Sequence, residues 1–159
     1  MVKAIIFDFW GTLVENGVWS PIKQVKQILA IDTPFSEYVM RMEKAMMTST
    51  FPSLKDAFEN VCKEFEVPCT EAKMEQLIGV WNRSWMLAKP YEEVKEELEK
   101  LQGRYQLILV SNTDGFSINQ VLDKFQLRAY FGQIFLSYQM GTIKTEEDFL
   151  KKILKEIKL

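Results

Sequence analysis

Residues 3–15 read KAIIFDFWGTLVE. A short run rich in Ile and Phe, Lys3 to Phe9, has the composition of a strand buried on both faces, yet it delivers a carboxylate, Asp8, at its end. Gly11 and Thr12 follow as turn residues, with Gly11 suited to a sharp bend. A charged side chain placed where a buried strand meets a turn serves either as a cap or as a chemical group, and the rest of the chain must decide which.

Two more apolar runs match the first, YQLILVSN at 105–112 and YFGQIFLS at 130–137. Between and after them the period is helical. KPYEEVKEELEKLQG (89–103) is amphipathic and closed by Gly103 at the expected C′ position, SINQVLDKFQL (117–127) follows the second run, and Thr145 with Asp148 opens a last helix bearing Phe149, Ile153, Leu154 and Ile157. Strands that alternate with helices require right-handed crossovers and a parallel sheet, so the expected class is α/β with a Rossmann-like core.

The first strand and the second are separated by four helical patterns with no strand among them. SPIKQVKQILAI (20–31) offers Ser20 as N-cap and Pro21 at the first helical position, and TPFSEYVMRMEKAMM (33–47) carries an apolar stripe. SLKDAFENVCKEFEV (53–67) has a Ser53/Asp56 capping-box pattern, and a fourth helix from about Glu71 aligns Met74, Leu77, Ile78, Trp81 and Trp85. The expected organisation is an α/β core from 1–15 and 89–159 interrupted by an all-helical insertion at 16–88. The methionines of the second helix and the Trp81/Trp85/Met86 face read as core, with a lesser role in shaping a pocket.

Composition narrows the chemistry. With 159 residues, 47% hydrophobic, 26% charged and a net charge of −2, the chain should fold and lacks the basic footprint of a nucleic-acid binder. No stretch is apolar for the ~18 residues a membrane span needs, and the expected location is cytoplasmic. There is no histidine, and Cys62 and Cys69 are the only cysteines, which leaves zinc without a ligand set and predicts thiols in a reducing compartment. In open parallel sheets ligands bind beyond the carboxyl ends of the strands. Asp8, the pair Ser111 and Asn112, and Lys144 all fall there, a carboxylate, a hydroxyl, an amide and an ammonium suited to nucleophilic chemistry on an anionic small molecule.

FDFWGTL (7–13), VSNT (110–113) and FGQIFLSYQMGTIK (131–144), in that order and in those strand contexts, resemble the first three motifs of the haloacid dehalogenase superfamily. The helical insertion is similar to the cap that many members carry between the first two motifs. The resemblance implies Asp8 as nucleophile, toward phosphorus in the phosphatases or carbon in the dehalogenases, and Lys144 as the compensating cation. It implies Thr12, Ser111 and Asn112 as phosphate-binding groups. Magnesium, expected in the phosphatases and not in the dehalogenases, would take Asp8 and the Trp10 backbone carbonyl.

Three features depart from the pattern. Phosphatases of the family place a second aspartate two residues after the nucleophile as general acid and base, a role worth ~10²–10⁴-fold, and here that position is Trp10. Dehalogenases carry a bulky aromatic there, because halide leaves without a proton. Lys144 is followed by Thr145, Glu146 and Glu147 in place of Pro-Asp-Pro, and the sequence reaches Leu159 before an acidic fourth motif, so a longer natural chain is expected, with the core incomplete at its C-terminus. The leading expectation is hydrolysis of a small phosphorylated metabolite. The alternatives are a 2-haloacid dehalogenase-like hydrolase and a catalytically silent binding or regulatory relative.

Overall fold

The three apolar runs become one parallel sheet. In the computed structural model, which describes residues 2–157, the chain begins β1 (Ala4–Phe7), β2 (Val14–Glu15), α1 (Pro21–Leu29), α2 (Phe35–Met47), α3 (Leu54–Glu64) and α4 (Glu71–Met86). It continues β3 (Lys89–Pro90), α5 (Val94–Gln102), β4 (Gln106–Ser111), α6 (Gly115–Lys124), a 3-10 turn at Leu127–Tyr130, β5 (Gln133–Leu136), α7 (Ser137–Met140) and α8 (Glu147–Glu156). The sheet order is β1-β4-β5, with Phe7 opposite Leu109 and Ser111 opposite Leu136.

β4 is central, and its alternate residues face two different cores. Leu107 and Leu109 pack with Leu98 of α5 and Ile118, Val121 and Leu122 of α6, while Ile108 and Val110 pack with Phe149 and Ile153 of α8. This is a three-layer α/β/α arrangement, the α/β class expected from the alternation of strands and helices. The reading of β1 as buried on both faces needs correction. Ile6 is 48% exposed, because β1 is an edge of the sheet among the described residues and α8 packs chiefly over β4 and β5.

Helices α1 to α4 enclose a separate buried cluster built from Val25, Leu29, Tyr38, Met42, Met46, Phe58, Val61 and Leu77. Burial there raises the Tyr38 phenol well above its usual range while its hydroxyl donates to the Ile22 carbonyl at 2.8 Å. Met42 and Met46 are core as expected, whereas Met40 and Met86 are exposed. Cys62 and Cys69 are free thiols, and burial, reinforced by Cys69, pushes Cys62 up to about 12.

The chain enters and leaves this helical stretch at one place, where β2 pairs antiparallel with β3, a ribbon too short for the sequence pattern to reveal. Beside it the Gly17 N–H donates to the Ser84 carbonyl at 2.7 Å. A Cβ on Gly17 would stand 2.4 Å from Leu87 Cβ and 2.6 Å from the Arg83 oxygen, so the two crossing segments touch only because this residue has no side chain.

Helix starts follow the sequence unevenly. Ser53 caps α3 by accepting the Asp56 N–H, and Pro21 occupies the first position of α1. Ser20, however, makes no capping bond and holds a left-handed backbone at φ 37°. The Thr145/Asp148 box does not form, since α8 starts at Glu147 and the Glu146 carboxylate turns instead to Lys44 and Thr142. Gly103 ends α5 at φ −71°, a right-handed conformation that does not use glycine's freedom.

Candidate active site

Immediately after β1 the chain folds back on itself. The Leu13 and Val14 N–H groups both donate to the Phe9 carbonyl, and Gly11, at φ 75°, donates to the Val14 carbonyl at 2.8 Å. A side chain could adopt that φ only with strain, so glycine makes the turn and leaves Asp8 at the open carboxyl edge of the sheet. From the loop between α7 and α8, the Lys144 ammonium donates to Asp8 Oδ1 at 2.8 Å, with the two side chains 34% and 41% exposed. Oδ2 of Asp8 has no protein partner among the described residues.

Asn112, just past β4, fixes this pair through its side chain. Its Oδ1 accepts the Lys144 backbone N–H at 2.8 Å, and its Nδ2 donates to Glu43 Oε2 at 2.8 Å. The resemblance implies Asn112 as a phosphate-binding group. In the structure its amide braces the lysine loop against α2. Two other expected residues are not brought to the site. Ser111 is fully buried, its hydroxyl reaching only the Asn112 carbonyl at 3.4 Å, and Thr12 is exposed with no side-chain hydrogen bond among the described residues. Neither lines the cavity into which Asp8 opens.

That cavity has a volume of about 280 Å³ and lies between the sheet edge and the helical stretch. Its polar end is formed by Asp8, Asn112, Lys144 and Glu43, its apolar side by Pro21, Ile22, Met47 and Trp81. Trp10 forms part of the wall. Its indole N–H donates to Thr113 Oγ1 at 3.1 Å, its ring meets Phe9 edge-on at 4.9 Å, and Thr113 is tied in turn to Ser137, whose hydroxyl accepts the Thr113 N–H at 2.9 Å. The tryptophan therefore clasps the β1 turn to the ends of β4 and β5.

Three carboxylates line the cavity, and two of them were missed. Asp114 is buried and caps α6. Its Oδ1 accepts the Ser117 N–H at 2.9 Å and its Oδ2 the Trp81 indole N–H at 3.0 Å. Burial raises its pKa, and these bonds pull against that rise. The pattern Asp-x-x-Ser ahead of SINQVL was the legible signal for this cap. Glu43 projects from α2 and is half-buried, and desolvation raises its pKa against the opposing pull of Asn112 and Lys144, with Asp8 adding to the rise. Its Oε1 has no protein partner among the described residues, yet no buried side-chain polar atom is unsatisfied, so that oxygen is open to solvent. The signal for Glu43 was its place four residues before Met47, on the flank of the apolar stripe.

Oxygen donors for magnesium are few. Asp8 offers its carboxylate and Trp10 its backbone carbonyl, and among the described residues no group of three His, Cys, Asp or Glu side chains gathers to hold a metal. Magnesium takes six oxygens, so these residues do not by themselves build its site.

A parallel sheet flanked by helices, with its polar residues gathered at the carboxyl edge, defines an α/β protein of the doubly wound class. The chain belongs to the haloacid dehalogenase-like hydrolase family, whose pattern it matches over residues 5–159. The fold is similar to that of a HAD family enzyme from Bacteroides thetaiotaomicron solved with magnesium and inorganic phosphate (19% identity, 98% of this chain and 79% of that one, TM-score 0.63). It is also similar to a predicted phosphoglycolate phosphatase from Haemophilus somnus (20% identity, 98% and 71%, TM-score 0.57). A third likeness is to L-2-haloacid dehalogenase from Xanthobacter autotrophicus (15% identity, 98% and 65%, TM-score 0.56). No curated protein matches the sequence. No helix among the described residues is long and apolar enough to cross a membrane.

Proposed function

We propose that the protein is a hydrolase that uses Asp8 as nucleophile on a small phosphorylated metabolite, with the helical stretch 16–88 acting as a cap over the site. The observation that carries this reading is the state of Asp8, which lines a cavity of about 280 Å³: Oδ1 is held by Lys144 at 2.8 Å while Oδ2 has no protein partner among the described residues. A cavity of that size suits a small metabolite. Attack by Oδ2 on phosphorus would form an aspartyl-phosphate and expel the leaving group, and water would then cleave the new bond, dividing one hard displacement into two easier ones. Lys144 offsets the charge that builds up when a carboxylate approaches a phosphoryl group, and Asn112 keeps the lysine loop in place. Relatives of this fold crystallised with magnesium and inorganic phosphate are consistent with a metal-assisted phosphatase.

One observation favours a second reading, dehalogenation of a small haloacid. Trp10 stands where an acid is expected, hydrogen-bonded and packed so that it has no proton to give. Halide departs without protonation, so an aromatic residue there is compatible with that chemistry.

A panel of phosphate esters, acyl phosphates and 2-haloacids, assayed with and without magnesium on the wild type and an Asp8→Asn variant, separates the readings. Release of phosphate, lost in Asp8→Asn, is the expected result, and the arms with and without magnesium read whether the metal takes part. Metal-independent halide release, also lost in the variant, would replace it with the second reading. Absence of turnover with ligand binding intact would leave a silent relative.

A further inference from the structure

The cavity contains a nucleophile and a cation, but the residue two places after the nucleophile cannot move a proton. An alkoxide leaving group has to be protonated as it departs, and a water attacking the intermediate has to lose a proton. The group responsible must be an acid that lines the cavity and keeps an oxygen free. Of the three carboxylates there, Asp8 is taken as nucleophile, and Asp114 has both oxygens committed to Ser117 and Trp81. Only Glu43 remains. Its Oε2 is oriented by Asn112 Nδ2 at 2.8 Å, its Oε1 has no protein partner among the described residues, and it is connected to Asp8 through the bonded sequence Glu43, Asn112, Lys144, Asp8.

We propose that Glu43, supplied by helix α2 of the helical stretch, is the general acid and base of the reaction, occupying the chemical role that Trp10 leaves empty, and that the substrate is therefore a phosphate monoester of an unactivated alcohol. This rests on the aspartate-nucleophile reading. In the first step Asp8 Oδ2 bonds to phosphorus as the ester P–O bond breaks, and protonated Glu43 gives its proton to the departing oxygen, releasing the alcohol. In the second, the Glu43 carboxylate takes a proton from water as that water's oxygen bonds to phosphorus and the Asp8–phosphorus bond breaks. Asp8 returns as carboxylate and Glu43 as acid; of the water's two protons one now sits on Glu43, replacing the one given to the alcohol, and the other leaves on the hydroxyl of inorganic phosphate. Desolvation, with Asp8 adding to it, raises Glu43 toward the protonated form against the pull of Asn112 and Lys144. α2 also carries Met42 and Met46 into the core of the helical stretch, so the residue proposed as acid stands on a helix anchored by that core.

Glycerol phosphate and 4-nitrophenyl phosphate, in magnesium buffer, provide the test, since the first leaving group needs a proton and the second does not. Glu43→Gln preserves size and an acceptor for Asn112. It is expected to lower kcat/KM for glycerol phosphate by ~10²–10⁴-fold, to lower that for 4-nitrophenyl phosphate by less than ~10-fold, and to accumulate phosphoenzyme on rapid quenching with the nitrophenyl ester. Equal losses on both esters would assign Glu43 to positioning through Asn112 and overturn the proposal, as would no loss at all. Thermal unfolding of the same variant distinguishes a folding defect, and Glu43→Asp, with a shorter acid, should then regain part of the glycerol phosphate activity if the proposal holds and none of it if the residue is merely structural. Loss of activity in Asp8→Asn with Glu43→Gln unimpaired would sink only this inference. A wild type that hydrolyses neither ester, or an Asp8→Asn variant that remains active, would remove the underlying reading as well.

Discussion

The tip of β1 and the start of α6 each present an aspartate to the same cavity, in opposite states. Asp8 is partly exposed, with one oxygen held by an ammonium and the other without a protein partner among the described residues, whereas Asp114 is buried with both oxygens taken by N–H donors. One carboxylate has nucleophilic capacity to spare. The other has each oxygen engaged, one in capping α6 and one in holding α4 against it. Being in the cavity wall therefore does not define a role; an unsatisfied oxygen does.

The strongest way to break this contrast is to exchange the expected phenotypes. Asp8→Asn should cut turnover by at least ~10³-fold while shifting unfolding free energy within ~0.5 kcal/mol, as measured by steady-state kinetics and urea unfolding. Asp114→Ala should do the reverse. Loss of a helix cap (~1 kcal/mol) and a buried indole N–H left unpaired (~1–3 kcal/mol) together predict a destabilisation of about 2–4 kcal/mol, read from the urea midpoint at unchanged slope. A stable but inactive Asp114→Ala protein would show that the buried aspartate, too, takes part in the chemistry.

Trp10→Phe sharpens the comparison from the wall between the two. It keeps the packing on Phe9 but removes the N–H donated to Thr113, and about 1 kcal/mol of stability should go with it. The smallest expected effect concerns the rim. Lys44 from α2 donates to Glu146 at 2.6 Å, and with Thr142 it holds the Glu146 carboxyl at about 2, below its ordinary value of 4.5. A depressed carboxyl binds fewer protons in the folded state than in the unfolded one. Its contribution is thus present above the ordinary value and lost as pH falls from about 4.5 toward 2. Lys44→Ala should flatten the acid limb of the stability curve slightly, in the sense of less stability lost between those pH values, with the surface exposure of the pair keeping the change small.

Why one side of the cavity was legible and the other was not follows from how each is built. Strand ends are visible in sequence because an apolar run stops at a polar residue, and a parallel sheet sends every such residue to one edge, so the sequence pattern alone gathers Asp8, Asn112 and Lys144. The same logic overreached for Ser111, as the family resemblance did for Thr12. It locates a residue at the edge without telling whether its side chain faces the cavity, and the first is buried beneath it while the second turns outward. Glu43 and Trp81 belong to amphipathic helices, whose periodicity announces a buried face but not what that face meets. Their partners, Asn112 and Asp114, are distant in sequence, at separations of 69 and 33 residues. Local capping was misread where a tertiary partner competed, as at Glu146, and the doubly buried reading of β1 failed because composition does not record a strand's place in the sheet.

The central claim is that Asp8 itself bonds to the substrate. Rapid quenching of wild-type enzyme with a turned-over phosphate ester, followed by acid-pH proteolysis and mass spectrometry, should find a phosphoryl adduct on the peptide containing Asp8, released by hydroxylamine and absent from Asp8→Asn. Turnover that continues in Asp8→Asn, with no adduct at any quench time in the wild type, would contradict the account.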